Sequence, residues 1–407
     1  MSREWTVVDL FSGAGGMSFG FHTHPRFRIL AAVDAEFGKP SSGEGSLECN
    51  KTYAANMGIE PLSLNLAEVT ARELRGAVKL PTTEPLDVLI SCAPCTGFSR
   101  TNANNHLTDD PRNSLVNKSG EFVEELRPRI FLMENARELI QGRNSHHFEQ
   151  LRQRLIRLGY QVRGDIHFLH EFGLPQRRER ALVVAVAEGL RLRTLADLWD
   201  GMTLVPAAVT VRRAIATLPA VEAGSAYAGD PLHVSPRMNE LNLSRLRAIP
   251  KDGGSWLDLN RTARTRHLLT HAMLRYIAAG DFGSHPDVYG RLAWDKPAVT
   301  IKRECGHIGN GRYSHPEQDR LCTIREMSIL QGFPKQYRFE SKSMTNNYRH
   351  IGDAVPPLIS FQLACVCEWI LGGSRRDPQD LLLPGTHLAA SDLVEVGGRQ
   401  LSLSFQP

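Results

Sequence analysis

The sequence predicts an α/β protein: a doubly wound, mostly parallel sheet with a smaller, irregular domain inserted into it. Three observations predict this. Short apolar, β-branched runs recur at 6–11, 29–34, 88–92, 130–133 and 181–187, the composition of strands covered on both faces. Helical periodicity lies between some of them: Phe148, Leu151, Leu155 and Leu158 fall on one face of an amphipathic helix. The alternation stops near residue 190, and 191–318 is richer in Arg, Pro, Gly and His with no clear period. Strands alternating with helices wind into a parallel sheet whose ligands sit at the carboxyl ends of the strands.

The rest of the chain follows from local signals. Regular pattern returns at 323–330, a helix ended by Gly332 and Pro334, and a last apolar helix covers 357–371. Residues 38–47 (GKPSSGEGSL) are extra sequence that reads as a surface loop. The expected divisions are a catalytic domain over 1–190, a second domain over 191–318, a hinge and motif region over 319–345, a returning helix over 346–375, and a polar, partly mobile tail over 376–407. Of the 407 residues, 42% are apolar and 23% charged, enough to build a core. No stretch reaches the roughly 18 consecutive apolar residues of a membrane span, and the N-terminus reads straight into a strand without a leader pattern. Seven cysteines, an odd number with no disulfide framework, read as reduced thiols, so a cytoplasmic, membrane-free protein is expected.

Net charge is only +4, compatible with nucleic acid without requiring it. Between Arg237 and Arg275, however, stand eight Lys/Arg (Arg237, Arg245, Arg247, Lys251, Arg261, Arg264, Arg266, Arg275) against three acids. By itself that cluster reads as a solvated face. His267 and His271 share a helical spacing but lack further ligands at metal spacing, so no metal is expected.

Five motifs carry chemistry. Asp9-Leu10-Phe11-Ser12-Gly13-Ala14-Gly15-Gly16 ends the first strand in a glycine turn that lets backbone approach a ligand. Asp34 ends the second strand about 20 residues on, where an acid can hold ribose hydroxyls; the bland alternative is a helix cap. Ala93-Pro94-Cys95-Thr96-Gly97-Phe98-Ser99 follows the third strand and turns Cys95 toward the ligand crevice, while Cys92 belongs to the strand and reads as core. Met133-Glu134-Asn135-Ala136 closes the fourth strand with an acid and an amide. Pro175-Gln176-Arg177-Arg178-Glu179-Arg180 puts Arg178 and Arg180 on one side of an extended segment.

In this order the motifs resemble the DNA cytosine-5 methyltransferase family. So do Thr52-Tyr53 with Asn56, Asp110-Pro111-Arg112-Asn113-Ser114-Leu115, Arg320 through Glu326, Gln331-Gly332-Phe333-Pro334 and Ile351 through Pro357. The resemblance runs from residue 6 to about 371 and implies a Rossmann-like methyltransferase fold with a target-recognition domain at 191–318. It implies S-adenosylmethionine as cofactor, held by Phe11, Ser12, Gly13, Gly15, Gly16, Asp34, Asn65, Pro94, Asp353 and Ala354. Cys95 matches the nucleophile, Glu134 the acid at the cytosine ring, and Arg178 and Arg180 the arginines that orient base and catalytic groups. Duplex DNA is the implied partner, gripped by Ser99, Arg237, Arg245, Arg247, Lys251, Arg261, Arg264 and Arg266. A protein monomeric on DNA and allied to a restriction or other defence system is the implied setting. The sequence departs from the family pattern at Thr96 (usually Gln), Ala136 (usually Val), Asp353 (usually Asn) and Asn65 (usually an acid).

The chemistry explains the residue types. Carbon 5 of cytosine is a poor nucleophile until a thiolate adds at carbon 6 and makes an enamine. A carboxyl at nitrogen 3 stabilises the charge that addition puts on the ring. None of this is reachable while the base is stacked, so the cytosine must be extruded. An RNA substrate and a catalytically silent relative are the competing readings. Cys95, Glu134 and Arg180 argue against silence, and the long 191–318 region favours a duplex reader.

Overall fold

The computed structural model describes residues 4–37, 46–80, 85–94, 109, 111–280 and 287–397. Six strands form the main sheet: β1 (Trp5–Leu10), β2 (Phe27–Val33), β3 (Val88–Ser91), β4 (Ile130–Ala136), β5 (Gln161–Phe168) and β6 (Glu179–Val186), in the order β2-β1-β3-β4-β6-β5. β1 to β4 pair in parallel. β6 runs antiparallel to both β4 and β5. β5 carries no clear strand pattern in the sequence, and the apolar run 181–187 reads there as part of the parallel set. The connection 169–178 contains only the short turn Leu169–Phe172, too little for a crossover helix, so β6 must return antiparallel.

Alternation along the strands divides the core in two. Val7, Val88, Ile90, Ile130 and Leu132 face one layer, and Val8, Leu89, Phe131 and Met133 face the other. The first layer holds helix α1 (Gly16–Thr23) and the last long helix, Pro357–Gly372. They touch through glycine: a Cβ on Gly20 would lie 2.1 Å from Phe361 N, and one on Gly16 would lie 2.3 Å from the Val355 carbonyl. The second layer holds α3 (Ala71–Ala77), α4 (Leu115–Leu126) and α6 (His146–Arg157). α6 buries the expected Phe148, Leu151 and Leu155.

Two further helices stand between these. α2 (Cys49–Met57) reaches across the chain: Asn56 exchanges hydrogen bonds with the Arg338 backbone, and Thr52 Oγ1 lies 3.2 Å from His350 Nδ1. The short α5 (Glu138–Gln141) follows β4. The expected 323–330 helix is Ile324–Leu330, with Thr323 and Glu326 as a capping box. Arg320 braces Glu326 with two 2.7 Å hydrogen bonds, so the buried carboxylate is paired. Pro357–Gly372 is a continuous helix of 16 residues, short of the roughly 20 a membrane span takes, and the apolar window around it is 83% buried in the protein.

Residues 191–318 are less separate than their irregular pattern implies. Leu195, Leu198, Trp199, Val211, Trp294, Ala298 and Ile301 belong to the main core, and Trp199 Nε1 donates to Gln362 Oε1 at 3.0 Å. A smaller core of Ile249, Trp256, Leu259, Leu268, Leu269 and Met273 stands apart. Within the expected mobile tail, the described part to residue 397 folds back: Leu381 and Leu383 are buried, and Leu393–Glu395 pairs antiparallel with Met202–Leu204.

Candidate active site

The carboxyl ends of β1 to β4 converge, and each carries a motif. After β1 the chain turns through left-handed backbone at Phe11 (φ 59°), Gly13 (φ 52°) and Gly15 (φ 90°). Phe11 is a non-glycine held in a conformation that costs energy, as is common where a loop shapes a ligand site. Gly13 N donates to Asp34 Oδ2 at 2.9 Å, and Glu36 N donates to Asp34 Oδ1 at 2.7 Å, so the acid ending β2 locks the glycine loop to its own turn. A Cβ on Gly13 would meet nothing within 4 Å, whereas Gly15 and Gly16 are packed tightly against protein. Ser12 Oγ is buried without a hydrogen-bond partner among the described residues. Open space over a glycine, a poised carboxylate and an unsatisfied hydroxyl fit a polar, ribose-bearing cofactor. Asn65 arrives beside this site because Leu62 bonds backbone to backbone with Ala32 and Asp34; its own side chain accepts from Ala67 N at 3.1 Å.

Asp9, which opens the glycine-turn motif in β1 beneath the loop, has no role of its own in the sequence reading. It is fully buried; Ser18 Oγ donates to its Oδ2 at 2.6 Å, and its Oδ1 has no partner among the described residues. Burial pushes its carboxyl up to about 7, opposed by the Ser18 hydrogen bond and reinforced by the nearby Asp34 charge.

At the ends of β3 and β4, Asn135 is buried, and its Nδ2 donates to the Ala93 carbonyl at 3.0 Å. That bond fixes the backbone two residues before Cys95. Cys95, with Thr96, Ser99 and Asp110, lies outside the described residues; Pro94 is the last described before it. β3 ends at Ser91, and Cys92, just past the strand end, is half-buried and packs against the main core, as its strand reading implies. Burial raises its thiol well above the usual range, and the Asp9 and Glu134 carboxylates add to the effect, so it is inert near neutral pH.

Glu134 is buried in β4, and Ala136 pairs directly with Arg180 of β6, so Glu134 and Arg180 share a sheet face on a diagonal. Arg180 Nε lies 2.8 Å from Glu134 Oε1, and Arg180 Nη1 donates to its neighbour's carbonyl, Glu179 O, at 2.7 Å. Arg178, two residues earlier, is buried too. Its Nη1 donates to the Ile301 carbonyl at 3.0 Å and its Nη2 to the Ala354 carbonyl at 3.3 Å. These bonds make it a brace between the 298–303 segment and the closing motif. Gln176 works alongside it: Ile301 N donates to Gln176 Oε1 at 2.8 Å, and Gln176 Nε2 donates to Gln331 Oε1 at 2.6 Å. Gln331 Nε2 in turn donates to the Ala354 carbonyl at 2.8 Å. Ala354 packs against Gly16, which brings the last motif onto the first. Asp353 pairs with Arg303 at 2.7 Å, so a cation offsets the charge it adds to the motif.

The basic cluster divides by burial. Arg245 is only 9% exposed; its Nε donates to the Leu268 carbonyl at 2.7 Å and its Nη1 to Asn242 Oδ1 at 2.8 Å. The expectation that it grips a phosphate is corrected: it holds the small core together. Arg247 pairs with Glu240 at 2.8 Å, Arg261 with Asp258 at 2.9 Å, and Lys251 with Asp319. Arg237, Arg264 and Arg266 are exposed.

A family model for C-5 cytosine-specific DNA methylases matches residues 5–369. The chain belongs to that family. Among individual relatives of this C-5 cytosine-specific DNA methylase, the type II methylase M.HgiDII of Herpetosiphon aurantiacus is 30% identical over 377 residues, covering 90% of this chain and 96% of the relative. DNA (cytosine-5)-methyltransferase 1A of Oryza sativa subsp. japonica is 30% identical over 427 residues, 88% of this chain but only 28% of that longer protein. The fold of the methylase is shared with the Entamoeba histolytica methyltransferase EhMeth, at TM-score 0.56 and 12% identity over 91% of this chain and 99% of that one.

The braces Asn135, Gln176 and Gln331 escaped notice as functional residues. Each lies inside a recognised motif, but a buried amide shows its role only once its partners are in place.

Proposed function

We propose that this methylase transfers a methyl group from S-adenosylmethionine to carbon 5 of a cytosine flipped out of duplex DNA, with Cys95 as the covalent nucleophile. The observation that carries the reading is the Glu134–Arg180 pair at the ends of β4 and β6, set beside a Pro94 turn whose backbone Asn135 holds. Bound at the Gly13–Asp34 turn, S-adenosylmethionine supplies an electrophilic methyl. Everything else falls to the protein. The Cys95 thiolate adds to carbon 6 of the base and makes carbon 5 nucleophilic; once carbon 5 carries the methyl, loss of its proton breaks the carbon–sulfur bond and frees the thiolate. Glu134, oriented by Arg180, engages nitrogen 3, where the electrons of that addition arrive. Arg178 and Gln176 hold the 298–303 segment against the closing motif and so fix the wall of the pocket.

The open face above Gly13 and the Asp34 carboxylate support the cofactor assignment, with Phe11, Ser12, Asn65, Pro94, Asp353 and Ala354 around it. Exposed Arg237, Arg264 and Arg266, with Arg247, Lys251 and Arg261 in ion pairs that phosphates can displace, support contact to the DNA backbone. A bacterial modification enzyme working in the cytoplasm as part of a restriction or related defence system fits the likeness to a type II methylase. Incubation with labelled donor and either duplex DNA or tRNA tests the reading. Label on DNA is expected, and label on tRNA alone contradicts it.

A further inference from the structure

At the head of α6, three side chains bring donor atoms close together. Asp109 Oδ2 lies 2.7 Å from His147 Nε2 and 3.4 Å from His146 Nε2, and the three donor atoms all lie within 4.8 Å of one another. The outer atom of two of these groups is held by an amide. Asn113 Nδ2 donates to Asp109 Oδ1 at 2.6 Å, and the Asn117 amide lies 3.2 Å from His147 Nδ1. His147 is buried, while Asp109 and His146 are exposed, so the cluster opens to solvent on one side.

Inner donors converging on a point, two of the three steered by an outer hydrogen bond, are the layout of a metal site. Two imidazoles and one carboxylate suit a borderline divalent ion, with open positions for water. Around zinc, bonds of about 2.0–2.1 Å put tetrahedral ligand atoms roughly 3.3 Å apart. The His146–Asp109 separation already matches, and the His147–Asp109 contact must open by about 0.6 Å on the same geometry. His147 must then carry its proton on Nδ1, which the Asn117 amide accepts once its oxygen faces the ring. We propose that Asp109, His146 and His147 form a binding site for a divalent transition-metal ion, clamping the head of α6 to the chain entering α4.

The full chain, stripped with chelator, is titrated with Co2+ while visible absorption is followed, then with Zn2+ as competitor, and its thermal midpoint is recorded. One Co2+ per chain, displaced by Zn2+, and a midpoint that rises with metal are expected. His146→Ala and Asp109→Asn alter exposed side chains and should each weaken binding at least about tenfold. Cys95→Ser, which removes a thiol that could take up metal outside this cluster, should leave binding unchanged. Binding that survives His146→Ala, disappears in Cys95→Ser, or is absent from the unaltered chain overturns the proposal.

Discussion

Arg180 Nε stands 2.8 Å from Glu134 Oε1 on a diagonal between β4 and β6, and both side chains are largely shielded from solvent. The pairing follows from the antiparallel return of β6: a parallel β6 would change which residues meet. Glu134→Gln should therefore lower kcat by about 10² to 10⁴ while donor binding stays as it was. Arg180→Ala should do similar damage to turnover and also cost about 3–5 kcal/mol of stability, because it leaves a buried carboxylate without its cation. Single-turnover kinetics and urea unfolding of both variants check this. Equal stability for Arg180→Ala and the unaltered protein contradicts it.

Asp34 receives two backbone amides, one from the glycine turn. Hydrogen bonds to a charged group contribute about 1.5–3 kcal/mol each. Asp34→Ala should thus weaken binding of S-adenosylhomocysteine by at least about tenfold, with a smaller effect on affinity for duplex DNA. Calorimetric titration with each ligand separately reads the two effects, and unchanged cofactor affinity refutes the assignment.

Asp9 makes stability depend on pH. Its folded-state carboxyl is pushed up to about 7 from an ordinary 3.8, chiefly by burial, so the folded protein holds a proton that the unfolded chain releases. The contribution is complete below about pH 4 and is lost as pH rises through 7, at about 1.4 kcal/mol for each pH unit of that window. Asp9→Asn keeps the shape and removes the titration. The variant should gain on the unaltered protein between about pH 4 and 7 in chemical denaturation; parallel profiles across that window would count against the argument.

Burial separates two arginines that look alike in sequence. Arg264→Ala should weaken duplex binding and lower the salt slope by about one. Arg245→Ala should instead destabilise the small core, since its guanidinium bonds to the Leu268 carbonyl. Fluorescence anisotropy across a salt series, beside thermal unfolding, distinguishes the two. A reduced salt slope in a stably folded Arg245→Ala would contradict the division.

Much of this was legible in the sequence, for identifiable reasons. Strands β1 to β4 show as unbroken apolar runs because both faces are covered. The motifs at their ends could be placed because a parallel sheet gathers its carboxyl ends at one edge. β5 (Gln161–Phe168) stayed hidden because it is an edge strand with half-exposed polar residues and no clean alternation. The returning helix expected over 346–375 is two, Met344–Asp353 and Pro357–Gly372, because Pro356 and Pro357 break the run and the first half is mostly polar. The docking of Leu195–Leu198 and Trp199 on the last helix was invisible because it rests on contacts such as Trp199 to Gln362, 163 residues apart. Arg245 misled for the same reason: charge is read from sequence, but burial is not.

The central claim is a covalent bond between the Cys95 sulfur and carbon 6 of the target base. It is tested most directly with duplex DNA carrying 5-fluorocytosine at the target, since fluorine at carbon 5 cannot leave as a proton does and the adduct is trapped. With S-adenosylmethionine present, the unaltered protein should yield a protein–DNA species that survives denaturing electrophoresis, and Cys95→Ser should yield none. An equal yield of that species from Cys95→Ser would contradict the account.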